Sequence, residues 1–206
     1  MEPIHYFAYG SNMLRERLLA RKVVVLGSGR PACAEGYKLL FNKKSDDGSA
    51  KANLVAEPGS KCWGVIFSVD PDSLTDLDGA EGAPGHYQRA NISVKVADAA
   101  QSAMTYIAHP DKILTVPDRP YDWYLALILA GATSQADMPA DWITHLRKVG
   151  QPKPDTETPA RNSFTEAIAQ LKAAGHVNWQ DLLNPALHPR PSVSSVVQSS
   201  TLNSLL

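Results

Sequence analysis

The chain has 206 residues, 44% of them hydrophobic, enough for one domain of ordinary size around one sizeable core. Its 20 Lys+Arg against 21 Asp+Glu leave a formal net charge of -1, which argues against a nucleic-acid binder, since such proteins carry a basic excess or stripe. No apolar run approaches the roughly 18 residues of a membrane-crossing helix, and the N-terminus MEPIHYFAYGSN lacks the pattern of a signal peptide. Cys33 and Cys62 form no CxxC pair and lie among apolar or small residues, which predicts buried, reduced thiols and a cytoplasmic protein. The 6 histidines are scattered and offer no ligand spacing, so neither a metal nor a cofactor is expected.

Taken in chain order, Ile4 to Ala8 predicts a strand, broken by Tyr9-Gly10-Ser11-Asn12. Residues 13–19 have helical spacing, with Ser11 or Asn12 as the natural N-cap. Val23 to Leu26 is a short β-rich run, and Gly27-Ser28-Gly29 reads as a turn. Tyr37 to Phe41, Asn53 to Val55 and Cys62 to Val69 predict three further strands, with a polar loop or hairpin end over 43–51. Asp70 as N-cap, Pro71 at the first position, and Leu74 and Leu77 predict a helix ending near Gly79 or Gly82. Tyr87 to Ala97 and Ala103 to Ala108 alternate and form an expected antiparallel pair. Helices are expected over 121–132, 141–149 and 162–174, with a stiff linker at 151–154. Beyond Asn184 the chain is Pro/Ser-rich and aperiodic, which predicts disorder. The division expected is a domain over 1–150, a helical extension over 151–184 and a tail over 185–206. Strands dominate the first 110 residues and arrive mostly without helical crossovers, so a curved antiparallel or mixed sheet is expected.

Three segments could carry chemistry. Tyr9-Gly10-Ser11-Asn12 lies where a strand feeds a helix, and consecutive backbone N–H groups there can cradle an anion. The same spacing also describes an ordinary capped turn. Gly27-Ser28-Gly29-Arg30-Pro31-Ala32 formally matches a dinucleotide-binding turn, but no long helix can follow before Tyr37, and Asp46-Asp47 falls in a polar loop. Asp76, Asp78 and Glu81 cluster at a helix C-terminus, where the macrodipole disfavours negative charge. A carboxylate held there is a candidate proton carrier, and a solvated acidic helix end has the same sequence. His86 beside Tyr87 is read as a loop histidine in preference to a site residue.

FAYGSNM at 7–13, GYKLLF at 36–41, CWGVIFSVD at 62–70, SLTDLDGAEGAPGHYQR at 73–89 and YDWYLALILAGA at 121–132 together resemble the γ-glutamylcyclotransferase family. The resemblance runs from about residue 4 to 150. It implies an α+β fold, a small mixed β-barrel of about five to seven strands with flanking helices. It implies a cofactor-free reaction in which the α-amine of a γ-glutamyl compound attacks its own γ-carbonyl and releases 5-oxoproline. By that resemblance Glu81 is the catalytic acid/base. Tyr9, Gly10, Ser11 and Asn12 hold the γ-glutamyl group and the developing oxyanion, Tyr124 points into the pocket, and Tyr87 contributes a wall. The partner implied is a small γ-glutamyl molecule. Two other readings stay open: a ligand-binding module of this fold without turnover, and a nicotinamide enzyme using the GSGRPA turn.

Overall fold

The computed structural model describes residues 2–97, 99–156 and 161–184. Five strands close into a barrel: β1 (Ile4–Ala8), β2 (Val25–Lys44), β3 (Ala50–Val69), β4 (Tyr87–Val96) and β5 (Ala99–Ala108), in the order β1-β3-β2-β4-β5. The sheet is mixed, as expected. β1 runs antiparallel to β3, from Ile4 opposite Val69 to Ala8 opposite Val65, and parallel to β5 where Tyr6 faces Met104. β4 and β5 form a full antiparallel ladder, and β2 meets β4 at Cys33 opposite Lys95.

Alternation sets the barrel wall. On β4, Ile92, Val94 and Val96 are buried while their neighbours face out, the period of two that a half-buried strand requires. Cys33 and Cys62 are both buried and unbridged.

The sequence reading divided β2 and β3 too finely. Residues 25–26 of the first short run and 37–41 belong to one strand of 20 residues, and 53–55 and 62–69 belong to another of 20. The supposed turn at Gly27-Ser28-Gly29 is a register shift between Leu26 and Arg30, and Gly36 sits in a second shift between Glu35 and Tyr37. Both Gly27 and Gly36 have positive φ, 94° and 78°, so these glycines supply bulges that bend a long strand around the barrel instead of ending it. GSGRPA therefore lies inside a strand with no helix after it, which removes the strand–turn–helix setting a dinucleotide needs.

Among the described residues five α-helices flank the barrel: α1 (Arg15–Ala20), α2 (Leu74–Glu81), α3 (Asp122–Thr133), α4 (Ala140–Gly150) and α5 (Arg161–Ala173). Asp70 caps the 71–73 turn ahead of α2 by accepting from the Asp72 amide at 2.9 Å, and the helix stops at Gly82. α3 is buried from Trp123 to Ala132, apolar all round as a helix in the middle of a core must be. It packs on the 11–13 turn, α4 and α5. The 151–154 segment is docked rather than a free linker: Lys153 accepts from the Asp122 amide at 3.0 Å and donates to the Pro120 carbonyl at 2.9 Å. No helix among the described residues is long and apolar enough to cross a membrane. The expected tail over 185–206 lies outside the described residues.

Candidate active site

Residues 9–14 leave β1, make a single 3-10 turn over Ser11–Met13 and enter α1. Neither Ser11 nor Asn12 caps α1; its N-cap is Leu14, with no side-chain hydrogen bond. Asn12 is buried and spends its side chain elsewhere. Its Nδ2 donates to the Tyr6 hydroxyl at 2.9 Å and to Glu81 Oε1 at 2.8 Å, and its Oδ1 accepts from Arg21 Nη1 at 2.7 Å. The arginine donor fixes which end of the amide faces Glu81. Arg21 Nη1 also reaches Glu81 Oε1 at 2.8 Å, so the positive charge meets the carboxylate at the unfavourable end of α2. Two donors hold Oε1; Oε2 accepts no hydrogen bond among the described residues.

The acidic cluster separates in three dimensions. Glu81 turns inward, whereas Asp78 pairs with Arg89 and accepts from the Tyr106 hydroxyl at 2.7 Å. Asp76 is exposed.

Glu81 borders two adjoining spaces. The inner one, about 30 Å³, is ringed by Tyr6, Tyr9, Tyr87, Tyr106 and Tyr124 together with Gly10, Ser11, Asn12 and Ala52. The outer one, about 520 Å³, also touches Ser11, Tyr87 and Tyr124 and opens between α2, α1, the 45–47 turn and α5. All seven sequence-expected site residues thus reach one place, with Glu81 between the two spaces.

The five tyrosines divide by what their hydroxyls do. Tyr9 donates to the Tyr106 carbonyl at 2.6 Å, Tyr87 to the Ala52 carbonyl at 2.8 Å, and Tyr106 to Asp78. Tyr124 accepts from the Ala52 amide at 3.2 Å and also meets the Ser11 side chain, and Tyr6 accepts from Asn12. Burial, foremost, pushes Tyr6, Tyr9, Tyr87 and Tyr124 above the usual phenol range, so all four stay protonated donors. The amides of Gly10, Ser11 and Asn12 donate to no other part of the described chain, as expected at the start of a helical turn.

Sequence reading missed Tyr6, Arg21, Arg17, Lys43 and Lys51. Their signal was weak, because charges on the leucine-rich 15–22 segment look like a solvated helix face. Lys51 donates to Asp47 Oδ2 at 2.6 Å and lies over the rings of Trp123 and Tyr124, at 4.7 and 4.6 Å from their centroids. Burial pushes its ammonium down to about 8, against the opposing pull of Asp47. The folded value lies below the unfolded one of about 10.4, so the unfolded chain holds the extra proton between them. Stability from this group therefore rises with pH across that window, by the order of 1 kcal/mol per unit. Lys51→Met should lack that rise. Urea titrations should show the wild-type advantage growing by about 1 kcal/mol or more between pH 8 and 9.5; a constant difference contradicts it.

The comparisons with known proteins agree with this geometry. The gamma-glutamylcyclotransferase of Homo sapiens is 34% identical over 105 residues, 47% of this chain and 53% of that protein. That of Bos taurus is 29% identical over 106 residues, 48% of this chain and 56% of that protein. The chain thus spans about half the length of the curated relatives it matches. A solved gamma-glutamyl cyclotransferase superposes with a TM-score of 0.63 at 22% identity, over 80% of this chain and 99% of that one. YkqA from Bacillus subtilis gives 0.62 at 24% identity, over 75% and 56%. These two share the fold. The family described as gamma-glutamyl cyclotransferase, AIG2-like, matches residues 6–125, from the strand before the 9–12 turn into the helix that carries Tyr124, and the chain belongs to that family.

Proposed function

We propose that the protein is a γ-glutamylcyclotransferase, releasing 5-oxoproline from a γ-glutamyl amino acid, peptide or amine. The observation that carries this reading is the placement of Glu81. One carboxylate oxygen is fixed by Asn12 and Arg21, the other is uncommitted, and the group stands where a 30 Å³ inner space meets a 520 Å³ vestibule.

The chemistry asks little beyond folding the substrate and moving protons, because the nucleophile is already tethered to its electrophile. The inner space takes the γ-carbonyl. Glu81 removes a proton from the α-ammonium, and the free amine attacks the γ-carbon. The new C–N bond closes a five-membered ring, and negative charge develops on the carbonyl oxygen. The unengaged amides of the 10–12 segment, with the hydroxyls of Tyr124 and Tyr6, are the donors available to that oxygen. The bond to the leaving nitrogen then breaks as Glu81 returns its proton there. In all, the α-ammonium gives up two protons and the leaving amine takes up two, so one carboxylate cycles twice and no water is consumed. Tyr9 and Tyr87, whose hydroxyls are tied to backbone carbonyls, shape the walls.

Within this reading residues 1–150 form the catalytic domain and the 151–184 extension closes one side of the vestibule, where Ser163 and Glu166 of α5 line it. Two buried, unbridged thiols suit a reducing compartment, and we place the reaction in the cytoplasm. The test is to incubate the purified protein with γ-glutamyl amino acids, peptides and amines and follow 5-oxoproline by mass. Release from at least one class is expected; release from none, by folded protein, overturns the reading.

A further inference from the structure

His86 ends the loop between the helix of Glu81 and the strand of Tyr87, and its ring lies between opposite charges. Its backbone is pinned on both sides: the amide donates to the Gly82 carbonyl at 2.8 Å, and the carbonyl accepts from the His109 amide at 2.9 Å. Only the ring can then change partners. Lys43 Nζ of β2 lies 3.0 Å from its Nδ1, and Asp46 Oδ2 of the 45–47 turn lies 3.7 Å from its Nε2. Lys43 is 5% exposed, and among the described residues no carboxylate lies within ion-pair distance of it. Its other neighbour is the face of Tyr87, 5.2 Å from the ring centroid. An ammonium can only donate, so Nδ1 accepts and the imidazole is neutral, with its one proton on Nε2 toward Asp46. The charges facing the ring are Lys43, Lys112 of the 110–112 turn and Asp46. Burial, then the two lysines, hold the imidazole below its usual range against the pull of Asp46. Lys43 in turn is drawn by Asp46, Glu81 and Asp47 and opposed by Lys112.

Those three carboxylates decide what acid does. When the ring takes a second proton, Nδ1 carries a hydrogen and can no longer accept, and two cations face each other across 3.0 Å. The imidazolium pairs with Asp46, which already stands beside Nε2. Asp47 is committed to Lys51 at 2.6 Å. Glu81 is what remains for Lys43: both border the outer space, and Glu81 Oε2 accepts no hydrogen bond among the described residues. Resting on the cyclotransferase reading, we propose that His86 is a positioning residue that keeps Lys43 off the proton carrier, and that its protonation passes the Lys43 ammonium to the uncommitted oxygen of Glu81. One proton moves, from solvent to Nδ1, and no covalent bond changes. The site then loses activity in acid through an exchange of ion pairs.

The test follows 5-oxoproline release from about pH 5 to 8 alongside the His86 ring protons by NMR, the range in which a histidine changes charge. The substrate is whichever γ-glutamyl amino acid, peptide or amine the protein turns over fastest. In the wild type kcat/KM should fall by about ten- to a hundredfold along the His86 titration, the worth of a charge-assisted hydrogen bond that must break before Glu81 can act. His86→Asn keeps an acceptor for Lys43 but does not titrate, and Lys43→Met removes the ammonium. Both should lose that fall, each measured against its own rate at about pH 8. Lys43→Met should also make His86 titrate at higher pH, since one cation no longer opposes the imidazolium, and Asp46→Asn should make it titrate at lower pH. A merely structural role for His86 would leave the shape of the pH profile alone. Thermal melts show which variants are folded, and the comparison of rate with ring titration on wild-type protein needs no variant at all. A wild-type rate that does not follow the His86 titration, or an acid fall that persists in both His86→Asn and Lys43→Met, overturns the inference while leaving cyclisation intact. Absence of 5-oxoproline from every compound at every pH overturns the cyclotransferase reading instead.

Discussion

Glu81→Gln should lower 5-oxoproline release by at least about 10³–10⁴-fold, the upper part of what general acid–base catalysis contributes, because one carboxylate serves both proton steps. The amide keeps the size of the side chain, and its oxygen can still accept from Asn12 Nδ2 and Arg21 Nη1. What it cannot do is take a proton from the α-ammonium. On a helix-end argument alone, losing the charge would be neutral or mildly stabilising. Arg21 reverses that sign. Its side chain is 20% exposed and loses the only carboxylate in ion-pair distance among the described residues, so a stability loss of about 1–2 kcal/mol is expected. The protein stays folded, with its melting temperature lowered by a few degrees. Glu81→Asp draws the carboxylate back by one methylene and should retain partial activity at most. Asp78→Asn is the informative neighbour. Asp78 sits on the same helix but pairs with Arg89 and Tyr106 and lines neither cavity, so its rate should stay within a few-fold of wild type. Equal, modest losses at positions 78 and 81 would leave the mechanism without its proton carrier.

The contrast between Asp78 and Glu81 also marks what a one-dimensional reading can reach. The two are three positions apart near the end of one short helix, and sequence alone gave them equal standing. The resemblance separated them, and the separation has a physical basis only when β1 and α1 bring Asn12 and Arg21 against one and β4 brings Arg89 against the other. Residues whose role is local were legible: Asp70 caps and Pro71 starts the 71–73 turn that leads into α2, Gly82 stops the helix, and the alternation on β4 set its buried face. Asn12 was legible as a polar residue at a helix start but misassigned, since a cap and a carboxylate holder need the same short amide. Glycine misled in the opposite direction. It permits positive φ in a turn and in a bulge alike, and only the partner strand decides which, so β2 and β3 looked like fragments. Arg17 and Lys43 were invisible for a different reason. Sequence counts charges, whereas the site depends on which of them are buried and on what they face there, Gln170 for Arg17 and His86 for Lys43.

The second large effect is expected far from any ionisable group. Gly131 lies on the face of α3 that meets the 11–13 turn, and a Cβ placed on it would stand 2.4 Å from both the Leu14 amide nitrogen and the Met13 carbonyl carbon, and 2.6 Å from Met13 Cβ. Two of those three atoms are backbone and cannot rotate away, and Met13 and Leu14 are themselves buried. Gly131→Ala gains up to about 1 kcal/mol of helix propensity, but overpacking a filled core costs roughly 1–3 kcal/mol and more where backbone must shift. The clash should win, with a net loss of about 1–3 kcal/mol. To make room, α3 and the turn must part, which moves Asn12 and the Gly10–Asn12 amides relative to Tyr124 on α3. Displacements of about 1 Å remote from the chemistry can cost about 10²-fold in rate, and a loss of that order is expected here. Gly79→Ala is the counterpart. It is also a helical glycine, but nothing lies within 4 Å of its Cβ position, so the same substitution should stabilise by about 0.5–1 kcal/mol. Urea unfolding of the two variants, with 5-oxoproline release measured on Gly131→Ala, decides the matter. Opposite signs of stability change with a rate loss at 131 show that the pocket-closing helix sets the geometry of the 9–12 segment. Stabilisation at both positions shows that α3 does not press on the turn, and the link from helix packing to the site is lost.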